Sequence, residues 1–165
     1  MVRLFLIFLL FGALFANQPQ ALPRFASLRS NSIHMHVGPG NNYPIEWRFV
    51  RQGLPVEIIA EFDTWRRIRD HQGTEGWVHK SLLCGKRTII IMSNVQNLHA
   101  KPDSQSAVVA RAEPGVIASV VETQPNWCKV EIRNDQGRFK GWVSRKQVWG
   151  IYANESKNPN SGLDG

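Results

Sequence analysis

Residues 63–83 read DTWRRIRDHQGTEGWVHKSLL. Trp65 opens a short segment that runs to Arg69, the polar run 70–74 supplies a turn, and Gly76-Trp77-Val78 begins the return, a pattern that predicts strand, turn, strand. The chain says this a second time. Residues 126–148 read NWCKVEIRNDQGRFKGWVSRKQV, with Trp127 matching Trp65, Gln136-Gly137 matching Gln72-Gly73, and Gly141-Trp142-Val143 matching Gly76-Trp77-Val78. Upstream, His34-Met-His-Val-Gly-Pro39 aligns with Asn97-Leu-His-Ala-Lys-Pro102, and the run that starts at Gly53 aligns with the run that starts at Gly115. The offset is 63 residues at the prolines, 62 at Gly53/Gly115 and Trp65/Trp127, and 65 at Trp77/Trp142. Insertions therefore fall between predicted strands, as they do when a duplicated unit drifts, and the repeat overrides the single-domain expectation that length alone would give.

Within each copy the apolar residues follow the period of strands. Ile33, Met35 and Val37 alternate with His34 and His36, and the Gly/Pro/Asn run 38–42 then forces a loop. A second strand is predicted over 45–50, a turn over 51–53, a third strand over 55–61, a fourth from Trp65, a fifth from Gly76, and a single tight helical turn at Ser81-Leu82-Leu83. A further short strand is expected at 25–28, and the second copy is expected to open at 88–92. Short strands punctuated by Gly, Pro, Asn and Asp, without useful helical periodicity, predict an all-β chain of two small barrels. Units of about 60 residues lie near the lower limit for a self-sufficient core, which favours packing of one copy on the other.

The order of these motifs, from an apolar-x-apolar-x-x-x-Pro segment through a turn glycine, an apolar run and a Trp to Gly-Trp-Val before a short apolar turn, resembles bacterial SH3-like (SH3b) domains. The resemblance covers roughly residues 26–152 and implies two tandem SH3-like β-barrels, over 24–87 and 88–152. His36 and His99 stand where the family usually has Arg, Lys101 replaces Gly38 in the second copy, and the closing turn carries Leu82 and Val148 instead of the frequent Tyr. These departures touch surface and turn positions. The link 84–87, Cys-Gly-Lys-Arg, has no flexible Ser/Gly run, so the arrangement of the barrels is expected to be narrowly limited.

Residues 1–21 have the three parts of a secretory signal: Arg3, an uninterrupted apolar run over 4–15, and small residues at Ala16 and Ala21. The apolar run is short of the ~20 residues that a bilayer crossing needs. Export to the periplasm or cell envelope is the expectation, with a membrane link only if the segment stays uncleaved. Residues 153–165 are polar, lack aromatics and read as a disordered tail. The formal net charge is +7, and both copies are basic: ten basic against six acidic side chains over 24–89, eight against five over 90–152. A positive exported protein is drawn to anionic envelope polymers, and export argues against a nucleic-acid partner.

Six tryptophans divide by whether the repeat demands them. Trp65, Trp77, Trp127 and Trp142 recur in both copies and are expected to be structural, packed on or at the edge of each core. Trp149 takes the place of Cys84 and is expected in the seam between copies. Tyr43 and Trp47 have no aromatic counterpart over 104–112. They flank the loop that borders the ligand groove in SH3-like barrels, with Arg48 and Arg67 nearby in sequence, so these four are the candidate ligand-binding residues. The alternation of Ile45, Trp47 and Phe49 leaves a core-facing Trp47 as the alternative.

Cys84 and Cys128 fall one in each copy at unmatched positions, which admits a disulfide across the domains or two separate, partly buried thiols. His34-x-His36 lacks a third ligand near in sequence, so no metal or other cofactor is expected. No nucleophile with a spaced base, Ser-centred elbow, phosphate-binding loop or zinc signature is present. The expectation is a non-catalytic envelope module whose first copy recognises peptidoglycan stem peptides or a protein peptide. An accessory to a wall hydrolase, or a cryptic hydrolase, is the alternative.

Overall fold

The computed structural model describes residues 20–153 and Glu155, so nearly all of the apolar N-terminal segment lies outside the described residues. Seven strands, β1 (Arg24–Leu28), β2 (Ile33–His36), β3 (Ile45–Phe49), β4 (Pro55–Phe62), β5 (Trp65–Arg69), β6 (Glu75–His79) and β7 (Leu83–Cys84), form one antiparallel sheet in the order β3-β2-β6-β5-β4-β1-β7. Seven more, β8 (Thr88–Ile91), β9 (Gln96–His99), β10 (Val108–Ala112), β11 (Ile117–Thr123), β12 (Trp127–Asn134), β13 (Gly137–Ser144) and β14 (Val148–Trp149), repeat it as β10-β9-β13-β12-β11-β8-β14. The chain is all-β, and the duplication read in the sequence is a duplication of topology. Each closing strand follows one turn of 3-10 helix, at Lys80–Leu82 and Arg145–Gln147; the first begins one residue earlier than the sequence predicts.

The repetition extends to irregularities. The β2–β3 ladder slips between Met35 and His36, and its counterpart slips between Val108 and Ala110. The β4–β5 ladder slips between Ile58 and Ala60, its counterpart between Val120 and Glu122. An extra residue at the same point in both copies bends the strand and re-aims its side chains, so these bulges are part of the design of the unit.

The turn between β5 and β6 shows why its sequence folds as it does. Asp70 Oδ1 accepts the backbone N–H groups of Gln72 at 2.9 Å and Thr74 at 2.8 Å, which closes the polar run into a hairpin. On the return strand, Gly76 lies beneath Met35: a Cβ there would stand 2.6 Å from Met35 Cγ. Gly141 leaves the same space for Leu98, whose Cβ would be 2.7 Å away. The glycine of each Gly-Trp-Val therefore admits a core side chain from the neighbouring strand.

One core gathers Leu28, Ile33, Met35, Phe49, Val56, Ile58, Ile68 and Val78, the other Ile89, Ile91, Leu98, Val120, Val130 and Val143. The division does not respect chain order. Ile90 of β8 belongs to the first core although its neighbours Ile89 and Ile91 belong to the second, and Ile117 and Trp149 also pack against the first. Alternation along β8 sends successive residues to opposite faces, so this strand is a wall common to both barrels.

The seam carries polar links as well. Thr88 Oγ1 donates to Gly53 O at 2.7 Å and Arg51 Nη2 donates to Gly115 O at 2.6 Å, so equivalent turns of the two copies are each engaged by the other barrel. Gly53 and Gly115 have φ of 77° and 81°, in the left-handed region where glycine is unstrained. Phe25 meets the Trp149 ring edge-on at 4.9 Å and lies 4.5 Å from the Tyr152 ring, while Tyr152 Oη donates to Glu57 at 2.7 Å. Trp149 thus fills the seam. Ala153 and Glu155, which composition alone assigns to the tail, are tied down: Arg87 donates twice to the Glu155 carboxylate, at 2.6 and 2.9 Å, and Arg145 donates to the carbonyls of Tyr152, Ala153 and Glu155.

The Cys84–Cys128 disulfide is not formed. Cys84 Sγ sits 3.2 Å from Ser27 Oγ at the edge of the first barrel, whereas Cys128 is enclosed in the second core. Burial there raises the Cys128 thiol to a pKa of about 12, so it is an inert thiol packed as a small apolar group.

Candidate functional site

Directly opposed residues of an antiparallel pair share a face, and successive residues alternate between faces. Ile68 and Val78 point into the first core, so their neighbours Arg67 and Trp77 point outward. The register then defines a row across the outer face: Ile45 opposite His36, His36 opposite Trp77, Trp77 opposite Arg67. Trp65 and His79 form the next outward pair beside it. The second barrel has the same row, Val108, His99, Trp142 and Lys129.

Trp65 and Trp142 are buried, at 8% and 5% exposure, and Trp77 and Trp127 are half-buried. Trp65, Trp77, Trp127 and Trp142 belong to neither core cluster. They lie on the outer face, where Trp65 is enclosed edge-on by His36 at 5.2 Å and His79 at 5.8 Å, and Trp127 by His99 at 5.6 Å.

His36 and His99 each hold a loop in place. His36 Nδ1 lies 2.8 Å from the carbonyl oxygen of Tyr43, and His99 Nδ1 lies 3.1 Å from that of Ser106, seven residues on in both cases. A carbonyl only accepts, so Nδ1 carries the proton and each histidine pins the loop that follows its own strand. In the first barrel the pinned residue is Tyr43, whose ring lies over Gly38: a Cβ on Gly38 would stand 2.4 Å from Tyr43 Cδ1. The second barrel has Lys101 and Ser106 at these two positions. The first copy thus has both the ring and the glycine beneath it, and the second has neither.

The four candidate ligand residues separate into distinct locations. Tyr43 is 42% exposed on the pinned loop, and Trp47, 47% exposed, stands opposite Met35 on β3. By the register Trp47 shares the face of Met35 and Phe49, and it is exposed because β3 is the edge strand of the sheet. Arg48, the next residue, projects to the other side of β3 opposite His34, with Nε donating to Ser32 Oγ at 3.3 Å, so it does not join Trp47. Arg67 joins the outer row beside Trp77, its Nη2 held 3.0 Å from Glu75 Oε2. Lys129, its counterpart, lies 5.9 Å over the Trp142 ring.

Exposure distinguishes the copies. In the second row His99 and Trp142 are closed off, at 9% and 5% exposure. In the first, Ile45 is exposed and His36 and Trp77 are half-buried. An open aromatic ring edged by a guanidinium and an aliphatic side chain can stack on a flat or apolar group while binding a carboxylate.

The sequence model of the bacterial SH3 domain matches residues 30–85 and again 93–150. The chain belongs to the bacterial SH3 domain family. Among curated proteins this SH3 pair is 23% identical over 153 residues to a Bacillus subtilis (strain 168) protein described as "Putative N-acetylmuramoyl-L-alanine amidase YrvJ", covering 86% of this chain and 28% of that protein. The chain thus spans under a third of that relative. Among solved structures it is similar to NlpC2 from Trichomonas vaginalis (TM-score 0.35, 10% identity, 81% of this chain and 50% of that one). It is also similar to an NlpC/P60 family protein from Bacillus cereus ATCC 10987 (TM-score 0.34, 9% identity, 76% and 55%).

Proposed function

We propose that this SH3 pair is a non-catalytic, exported cell-wall module that binds carboxylate-bearing stem peptides of peptidoglycan on the outer face of its first barrel. The observation that carries the reading is the asymmetry of the two rows: His36 and Trp77, between the exposed Ile45 and Arg67, are half-buried, where their counterparts His99 and Trp142 are closed. Tyr43 on the pinned loop and Trp47 at the exposed edge strand β3 flank the open side, and the net charge of +7 suits an anionic polymer. Similarity to part of a protein described as an N-acetylmuramoyl-L-alanine amidase favours the wall as the location of that polymer. The same similarity favours a second reading, in which the module serves as the targeting partner of a wall hydrolase.

The test is titration of the purified chain with soluble disaccharide-peptide fragments, followed by tryptophan fluorescence. Arg67→Ala and Trp47→Ala should each weaken binding by about 30-fold, the equivalent of about 2 kcal/mol for a desolvated anchor, with circular dichroism unchanged. Wild-type affinity in both folded variants refutes the assignment of the face. Fragment cleavage by the chain alone would replace a binding module with an enzyme.

A further inference from the structure

A second surface lies between the barrels. Three depressions share their lining residues and so run into one another. The first, of about 390 Å³, is bounded by Val109, Arg111, Val116, Ile132, Asn134 and Phe139 of the second barrel. The second, of about 430 Å³, shares Val116, Ile132 and Asn134 and crosses the seam to Val50, Arg51 and Gln52. The third, of about 320 Å³, shares Gln52, Ile117 and Arg133 with the second and continues to Arg29, Cys84 and Lys86. Together they make one groove that passes from the tip of the second barrel to the link between the copies.

Its chemistry is uneven along neither side: an apolar floor lies under a basic rim. Val116, Ile117, Ile132 and Phe139, all half-buried, supply the floor, and the exposed Val50 stands at its side. Arg29, Arg51, Lys86 and Arg111 supply cations that form no ion pair among the described residues, unlike Arg24, Arg66, Arg67, Arg69 and Arg87 elsewhere on the chain. Arg29 and Arg51 donate hydrogen bonds to the neutral carbonyls of Leu83 and Gly115. The groove's carboxylates are fewer. Glu131 faces Arg133, Arg138 and Lys140 together, and its hydrogen bond from Arg133 in particular holds its carboxyl below the usual range. Glu113 is left as the other acid.

We infer that this groove is a second binding surface, built jointly by both copies, for an extended polymer that carries carboxylates and small apolar groups in alternation. Resting on the function proposed above, the polymer is a multimeric peptidoglycan strand, whose one peptide occupies the outer face of the first barrel while a neighbouring stretch runs along the groove. The charge balance selects an anion, the length selects a chain over a single small molecule, and the apolar floor accounts for a need that charge alone leaves unmet. Two linked contacts convert weak sites into an avid one when the spacing allows both at once. The fixed seam supplies that spacing, because the two barrels share a wall.

The experiment compares single disaccharide-peptides with soluble multimeric strands, titrated into the full chain and into Lys86→Glu/Arg111→Glu. Both positions are exposed, and among the described residues their side chains carry no hydrogen bond or ion pair. The double variant should bind multimers at least tenfold more weakly, with a shallower salt dependence, and bind the single unit as the parent does. Equal affinity of parent and double variant for multimers overturns the groove, and a loss in Arg67→Ala alone would leave the outer-face reading standing. Loss in the double variant with none in Arg67→Ala or Trp47→Ala supports the groove and refutes the outer face. Poly-L-glutamate bound in a Lys86- and Arg111-dependent way by a chain that ignores all wall fragments overturns the wall polymer as occupant.

Discussion

Truncating Ile90 to Ala tests whether the two barrels are one thermodynamic body. The side chain comes from the second sheet, is 1% exposed, and is enclosed by the core of the first barrel. Removing three buried carbons from a packed site costs about 2–5 kcal/mol, the higher values applying where the surroundings cannot collapse. Collapse here is opposed by the seam, since Thr88 and Trp149 on either side are tied to Gly53 and Phe25. For a cooperative unit of this size each kcal/mol lowers Tm by about 2–4 °C, so a fall on the order of 10 °C is expected. The assay is thermal unfolding followed in parallel by far-ultraviolet circular dichroism and by tryptophan fluorescence, with Ile89→Ala, which empties the second core, as companion. Both variants should give one transition, coincident by both probes and shifted by similar amounts. Two resolved transitions, with each variant shifting a different one, would refute the shared wall.

Three other outcomes follow from the geometry. Gly38→Ala places a methyl where the Tyr43 ring lies; it should cost less than about 1 kcal/mol in stability, because the ring can swing outward, yet weaken wall-fragment binding severalfold, and unchanged affinity would remove Tyr43 from the site. Of the two thiols, Cys84 should react with a chromogenic disulfide reagent in the native state, and Cys128, with its pKa raised to about 12 by burial, only on unfolding; native-state titration of two thiols would contradict the core placement. Burial, reinforced by Glu57, raises the Tyr152 phenol above its ordinary value of 10. Folding therefore favours the protonated ring, a stabilisation that is whole below pH 10 and is lost as pH rises toward the raised value. Tyr152→Phe should flatten the fall of urea stability above pH 10, and an unaltered alkaline slope would refute the role of the seam phenol.

The fold was legible because duplication writes it twice: the Trp, turn and Gly-Trp-Val spacing survives in both copies, and period-two alternation needs no tertiary information. The outer-face position of the repeated tryptophans was also present in the sequence. Trp77 adjoins Val78 and Trp65 is three residues from Ile68, so in a strand each must face away from its apolar neighbour. The hold of His36 on the Tyr43 carbonyl was not readable, since it depends on where a loop returns seven residues later. Nor was the difference in exposure between two rows of nearly the same composition. The groove between the barrels arises from the seam, and Lys86, Arg111 and Ile132 carry no motif that would have marked them.

The common wall bears on how such a chain can change over time. A strand whose successive residues complete two different cores cannot be lent to another protein with only one of its barrels, since the barrel left behind would lose Ile90 and the departing one would expose it. Recombination that cuts within the link 84–87 yields two damaged halves, whereas recombination outside the pair moves an intact unit. The heritable module is the doublet, and within it one copy is free to vary its face so long as the other keeps the wall.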